Sequence, residues 1–244
     1  MKQRLLGFLG LLLAVSVCFA GCGGRGGRAT STDGLSDDAT EWNSAPAGLV
    51  TDPDGAVPVS DAYRQTEDLY ILDVFPYTGG YVEDGSDAPC EDVCAVLLEN
   101  RSETHYRYLR FTLTTSDDTY TFTATTLFAG ARMIVLCEEK TAYTGGDLLS
   151  VDFLSVVPFE EPPTVHTDTL LITYTDGFIN VKNLTDAALS DVYVYFKDTD
   201  EAGYLGGITY RAAFGGIAPG ETVQKSARNM RQETGRVVFA TYDP

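Results

Sequence analysis

Positive charge is scarce in this chain: 17 Lys and Arg stand against 35 Asp and Glu, for a net charge of -18. That balance excludes general affinity for nucleic acid, because phosphate binding needs clustered Lys and Arg. It also argues against electrostatic attachment to anionic lipid. Histidine is rarer still. The two present, His105 and His166, stand alone in a turn and in a linker, and neither has a second His at metal-ligand spacing. The sequence has no Gly-x-Ser-x-Gly, His-Glu-x-x-His or Gly-x-x-x-x-Gly-Lys-Ser/Thr, the spacings that set up acyl transfer, zinc hydrolysis and phosphate binding. Carboxylate pairs such as Asp117-Asp118 and Glu160-Glu161 read as loop residues of an acidic surface. The expectation is a protein that is not an enzyme and carries no cofactor or metal. Long apolar runs are missing too. The longest, Leu5–Ala20, falls short of the roughly 20 residues a transmembrane helix needs.

That short run is nonetheless the most specific signal in the chain. Lys2 and Arg4 precede it, and it closes on Phe19-Ala20-Gly21-Cys22. A basic start, an apolar stretch and small residues make a secretory signal peptide. With the cysteine, the segment resembles the lipobox leader of bacterial lipoproteins. The resemblance implies that residues 1–21 are removed, that Cys22 is diacylated on sulfur, and that the mature chain is held on the extracytoplasmic side of the cell membrane. Two or more acyl chains hold stably where one does not.

Residues 22–61 are rich in Gly, Ser, Thr, Ala, Asp and Pro, with no sustained apolar period. They read as a flexible acidic tether. Asp52-Pro-Asp54-Gly55 is expected to be a turn rather than a calcium loop, since Val57 and Val59 fall where oxygen ligands would recur.

From about Leu69 onward, Tyr, Thr, Val, Ile and Phe alternate with polar residues, and helical periodicity is absent. An internal repeat organises this region. Ala95–Ser102 matches Phe178–Thr185 at an offset of 83, and Tyr108–Leu113 matches Asp191–Phe196 at the same offset. Phe128-Ala-Gly130 then matches Ala218-Pro-Gly220 at 90, and Leu148–Val151 matches Val237–Ala240 at 89. The jump implies extra residues in the second copy around Gly206–Tyr210, forming a long hairpin on which function would be grafted. Alternation puts Leu109, Phe111 and Leu113 inward in one copy, and Val192, Val194 and Phe196 inward in the other. Asn100 and Asn183 hold equivalent turn positions. Pro162-Pro163 marks a boundary, because neither residue can donate to a sheet ladder. The predicted fold class is all-β, with two tandem β-sandwich domains over 62–161 and 164–244.

The order strand, Asn-x-Ser/Thr, alternating strand, Pro219-Gly-Glu-Thr222, strand resembles the FxLYD-type immunoglobulin-like modules of bacterial envelope lipoproteins, more closely in the second copy. The Phe-x-Leu-Tyr-Asp motif itself is absent from both copies. The resemblance implies an immunoglobulin-like sandwich and a non-catalytic role outside the cell.

Export permits disulfides. Cys90 and Cys94 could close a small loop, Cys94 could instead link to Cys137 across two strands, and three thiols leave one over. Tyr193 and Tyr195 alternate with the inward set of their strand. Together with Tyr204 and Tyr210 they form a candidate docking or sugar-stacking surface; the competing reading has these rings cover an interface between the copies. The function expected is binding to an envelope protein or to cell-wall glycan. The alternative is a solute- or metal-handling accessory lipoprotein.

Overall fold

The computed structural model describes Val57–Pro58 and residues 68–244. The leader, Cys22, the Asp52–Gly55 turn and all of the tether except Val57–Pro58 lie outside the described residues. Val57 and Pro58 are not free tether: they form β1 (Val57–Pro58), which pairs with Ile71 and Tyr70.

The described chain is all-β. The first half contains β2 (Leu69–Tyr81), β3 (Ala88–Asn100), β4 (Tyr106–Thr115), β5 (Thr119–Leu127), β6 (Arg132–Leu136) and β7 (Leu148–Pro158). The second contains β8 (Leu170–Thr175), β9 (Phe178–Asn183), β10 (Leu189–Lys197), β11 (Leu205–Gly206), β12 (Tyr210–Ile217), β13 (Thr222–Ser226) and β14 (Arg236–Asp243). The first half carries two sheets, β2-β3-β6 and β5-β4-β7, and the second repeats the order as β8-β9-β13 and β12-β10-β14. Added to the first sheet are β1 at one edge and β11 at the other.

Strand alternation builds each core. Leu109, Phe111 and Leu113 of β4 are fully buried, as are Tyr120, Phe122 and Ala124 of β5. Phe111 stacks between Phe122 and Phe153 at centroid distances of 5.1 and 5.0 Å. In the second half Val192, Val194 and Phe196 are buried in a separate cluster with Ile172, Ile179 and Val181. Each such side chain contributes roughly 1.5–3 kcal/mol on leaving water.

The repeat extends to individual hydrogen bonds. Asn100 and Asn183 are both 0% exposed. The Asn100 amide donates to Thr104 O (2.8 Å) and Phe128 O (2.9 Å), and its oxygen accepts from Ser102 N (3.0 Å) and Ser102 Oγ (2.7 Å). Asn183 donates to Ala187 O (2.7 Å) and Ile217 O (3.1 Å), and accepts from Thr185 N and Thr185 Oγ1, both at 2.8 Å. Each amide thus uses its full donor and acceptor set to close a turn in the core. Gly130 and Gly220 take matching left-handed conformations, φ 72° and 70°, in the opposing turns, which glycine adopts without a Cβ penalty.

The last sequence match is displaced. Phe111 pairs with Phe153 and Leu113 with Val151 in the first half. Their counterparts Val194 and Phe196 pair with Ala240 and Val237. Val151 therefore corresponds to Val237, not to Ala240. A bulge in each final strand breaks the register that a constant offset assumes.

The Cys90–Cys94 link is also corrected. Both residues lie on β3, opposite Gly79 and Pro76 of β2. Four steps along an extended strand span roughly 13 Å, beyond the 4.4–6.8 Å between Cα atoms that a disulfide requires. Among the described residues, Cys90, Cys94 and Cys137 carry no disulfide in this structure.

His105 is not a solvated turn residue. Its Nδ1 accepts the Ala129 N–H at 3.2 Å, and its ring meets Phe128 edge-on at 5.6 Å. Burial lowers its pKa below the ordinary 6.5.

Two predictions come from these buried polar groups. Asn100→Ala and Asn183→Ala should each destabilise the protein by about 2–3 kcal/mol in urea unfolding, because buried carbonyls lose their donor. His105 has a depressed folded pKa, so its contribution is full above about pH 6.5 and is lost as pH falls through the folded value. The stability difference between wild type and His105→Asn, measured by unfolding across pH 4–8, should therefore shrink below about pH 6.5.

Candidate functional site

The two halves join through the residues that the sequence marked as extra. In the first half β4 turns into β5 through Ser116–Asp118; in the second, residues 198–209 separate β10 from β12. This longer segment does not project as a hairpin. It runs back as a strap across the first half, where Leu205 and Gly206 pair in parallel with Met133 and Ile134 of β6. Gly207 and Thr209 then meet β5. Thr125 N donates to Gly207 O at 2.8 Å, and Thr209 N donates to Thr125 Oγ1 at 2.8 Å.

Close approach explains the glycine. A Cβ on Gly207 would lie 2.5 Å from Glu83 Oε1 and 3.0 Å from Val135 Cγ1. The strap passes between a carboxylate and the sheet with no room for a side chain.

Two buried ionisable groups flank it. Lys197 is 0% exposed, and its Nζ donates to Gly206 O (2.7 Å) and Gly207 O (3.1 Å). Glu83 is half-buried as a residue, but its carboxylate is enclosed: Oε1 accepts the Leu136 N–H at 3.0 Å, and Oε2 is buried without a hydrogen-bond partner. Burial pushes the Glu83 carboxyl up and the Lys197 ammonium down, each offset in part by the other's charge. No direct ion pair joins them; the Gly207 backbone lies against both.

Three of the four candidate tyrosines belong to this junction. Tyr195 stacks on Phe239 at 4.0 Å and 9°, and Phe159 from the first half meets Phe239 edge-on at 5.5 Å. Tyr204 is buried. The Tyr210 hydroxyl donates to Val82 O at 3.0 Å, and burial pushes its pKa up to about 12. These rings therefore seal one half against the other instead of forming an open docking surface. Tyr193 stays half-buried, with the Arg211 guanidinium 4.9 Å from its ring centroid. Leu205, Val238 and Phe239 of the second half belong to the first half's core.

Beside the strap lies a cavity of about 510 Å³, lined by Tyr77, Asp87, Asp198, Glu201, Tyr204 and Arg231 among others. Arg231 is one of its lining residues, paired with Asp87 and, through Nη1, with Asp198 at 3.3 Å. Asp200, on the same wall, accepts the Tyr204 N–H at 2.7 Å, and burial raises its pKa. Carboxylates outnumber the one guanidinium here, which suits a small cationic or hydroxyl-rich guest. Among the described residues, no three His, Cys, Asp or Glu side chains are placed to hold a metal ion.

No protein-family model matches the chain, and no curated protein matches its sequence.

The buried pair yields a paired prediction. Lys197→Met leaves the Glu83 carboxylate buried with no compensating charge, and should cost about 3 kcal/mol in urea unfolding. Adding Glu83→Gln should recover most of that loss.

Proposed function

We propose that this chain is a lipid-anchored protein of the extracytoplasmic face, with a non-catalytic binding role carried by two immunoglobulin-like β-sandwich modules clasped into one body. The observation that carries the reading is the Met1–Cys22 pattern: basic start, short apolar run, then Ala20-Gly21-Cys22. In this reading the diacylated Cys22 holds the protein in the membrane, and the residues between Cys22 and β1 join it to the body. The repeated all-β architecture supports the reading, since such modules present surfaces on rigid strands.

A protein partner is favoured over cell-wall glycan by apolar side chains left in water on β7, where Leu149 is 65% and Leu154 is 53% exposed. Large exposed apolar groups mark protein contacts more often than sugar contacts, which rely on aromatic faces. A second reading, a solute- or metal-handling accessory lipoprotein, draws on the cavity lined by Asp87, Asp198, Asp200, Glu201 and Arg231.

Fractionation tests the anchor: Cys22→Ser should move the protein from the membrane to the soluble fraction, and an unchanged distribution would sink the lipid reading. Cross-linking of intact cells followed by mass spectrometry tests the role. A protein partner lost in a Leu149→Glu, Leu154→Glu variant supports docking, whereas recovery of wall fragments alone replaces it with glycan binding.

A further inference from the structure

Two buried cysteines, Cys94 and Cys137, lie on neighbouring strands of the first core. Strands β3 and β6 are antiparallel partners through Ala95–Leu136, Val96–Val135 and Leu98–Met133. One step beyond Ala95–Leu136, the Cys137 N–H donates to Cys94 O at 2.9 Å. Cys137 thus adjoins Cys94 where the ladder ends, in the same register; the Cys94 N–H turns instead to Thr141 O at 2.9 Å, and Cys137 also bridges Phe122 of β5. Opposed residues in an antiparallel pair have Cα atoms roughly 4.5–5.5 Å apart, inside the range a disulfide spans.

The side chains share a face as well. Alternation puts Cys94 with Val96 and Leu98, and Cys137 with Val135 and Met133. All six are 0% exposed and belong to one core cluster. Each would meet the other first on leaving its thiol state, because no third cysteine is in reach: Cys90 sits four residues back along β3, half-buried.

We propose that Cys94 and Cys137 form a cross-strand disulfide in the exported protein, leaving Cys90 as the single free thiol of the body. The bond rests on the extracytoplasmic reading for its oxidant, an external disulfide such as oxidised glutathione or the disulfide of a thiol oxidase. One cysteine attacks that disulfide as thiolate and releases one reduced thiol. The second then displaces the other thiol from the mixed disulfide. The two protein thiols lose two electrons and two protons, and the external disulfide becomes two thiols.

The order of events follows from burial. In the folded chain burial pushes the Cys94 thiol up to about 12, with the neighbouring Cys137 adding to the rise, and burial raises Cys137 too. Thiolate is then scarce and shielded, so the bond closes while β6 is seating and resists reduction afterwards.

The full-length protein is purified from membranes without reductant, its thiols are alkylated before and after unfolding, and it is digested with trypsin. The peptide Met133–Lys140 should appear linked to the peptide 65–101, with one alkylated cysteine. The link should persist in Cys90→Ser and vanish in Cys94→Ser. Reduction should lower the Tm of wild type and of Cys90→Ser by about 10 °C or more, and leave that of Cys137→Ala unchanged. The same full-length chain is also refolded in mixed reduced and oxidised glutathione. A link formed there but absent from cells supports the bond and overturns the export reading instead. Recovery of Cys137 as an alkylated free thiol in both preparations, or a link that depends on Cys90, would overturn the proposal.

Discussion

An ammonium group withdrawn from water must find other dipoles, and Lys197 finds the carbonyls of Gly206 and Gly207. Those carbonyls belong to the strap that crosses to the first half, so solvating one buried cation also fixes the path of the connecting chain. From that path follow the parallel pairing of β11 on β6, the Thr125–Thr209 bonds, and the absence of a side chain at Gly207. The rings of Tyr195, Phe239 and Phe159 close over the other side of the same junction. Because a buried charge without partners costs several kcal/mol, the strap and Lys197 stand or fall together. The cavity beside the strap inherits its walls from the same arrangement.

Within each half, a buried asparagine does comparable work on a smaller scale. Asn100 and Asn183 each satisfy two carbonyls and accept two donors from the Ser or Thr two residues on. A hydrophobic residue at either site would leave those carbonyls orphaned in the core. That requirement explains why Asn-x-Ser/Thr recurs at an offset of 83 while the strands around it differ in nearly every residue. It also explains why two halves with little shared sequence keep the same sheet order.

The inward residues of β4 and β10 were legible because alternation is local: each side chain's face depends only on its neighbours. The final strand was harder. Bulges shift its partners by whole residues, so the match of Leu148–Val151 to Val237–Ala240 followed letters that the ladder does not align. The extra residues 206–210 were found, but as a projecting hairpin; nothing in their own composition says that β6 has an open edge to receive them. Lys197 carries no signal in the sequence, since a lysine at a strand end reads as surface.

By itself the sequence determined the β character of the chain, the repeat with its paired asparagines, and the residues that turn inward. All of these rest on periodicity or on spacing within a few residues. Only the tertiary structure decided that Tyr204 and Tyr210 are spent on the junction, that the Cys94 backbone is bonded to Cys137, and that the extra segment is a strap. Alternation tells which way a side chain points, but not what lies across from it. What lies across is set by pairing between strands distant in the chain, where burial of Lys197 and closure of the two cores select one arrangement among many that the local pattern allows.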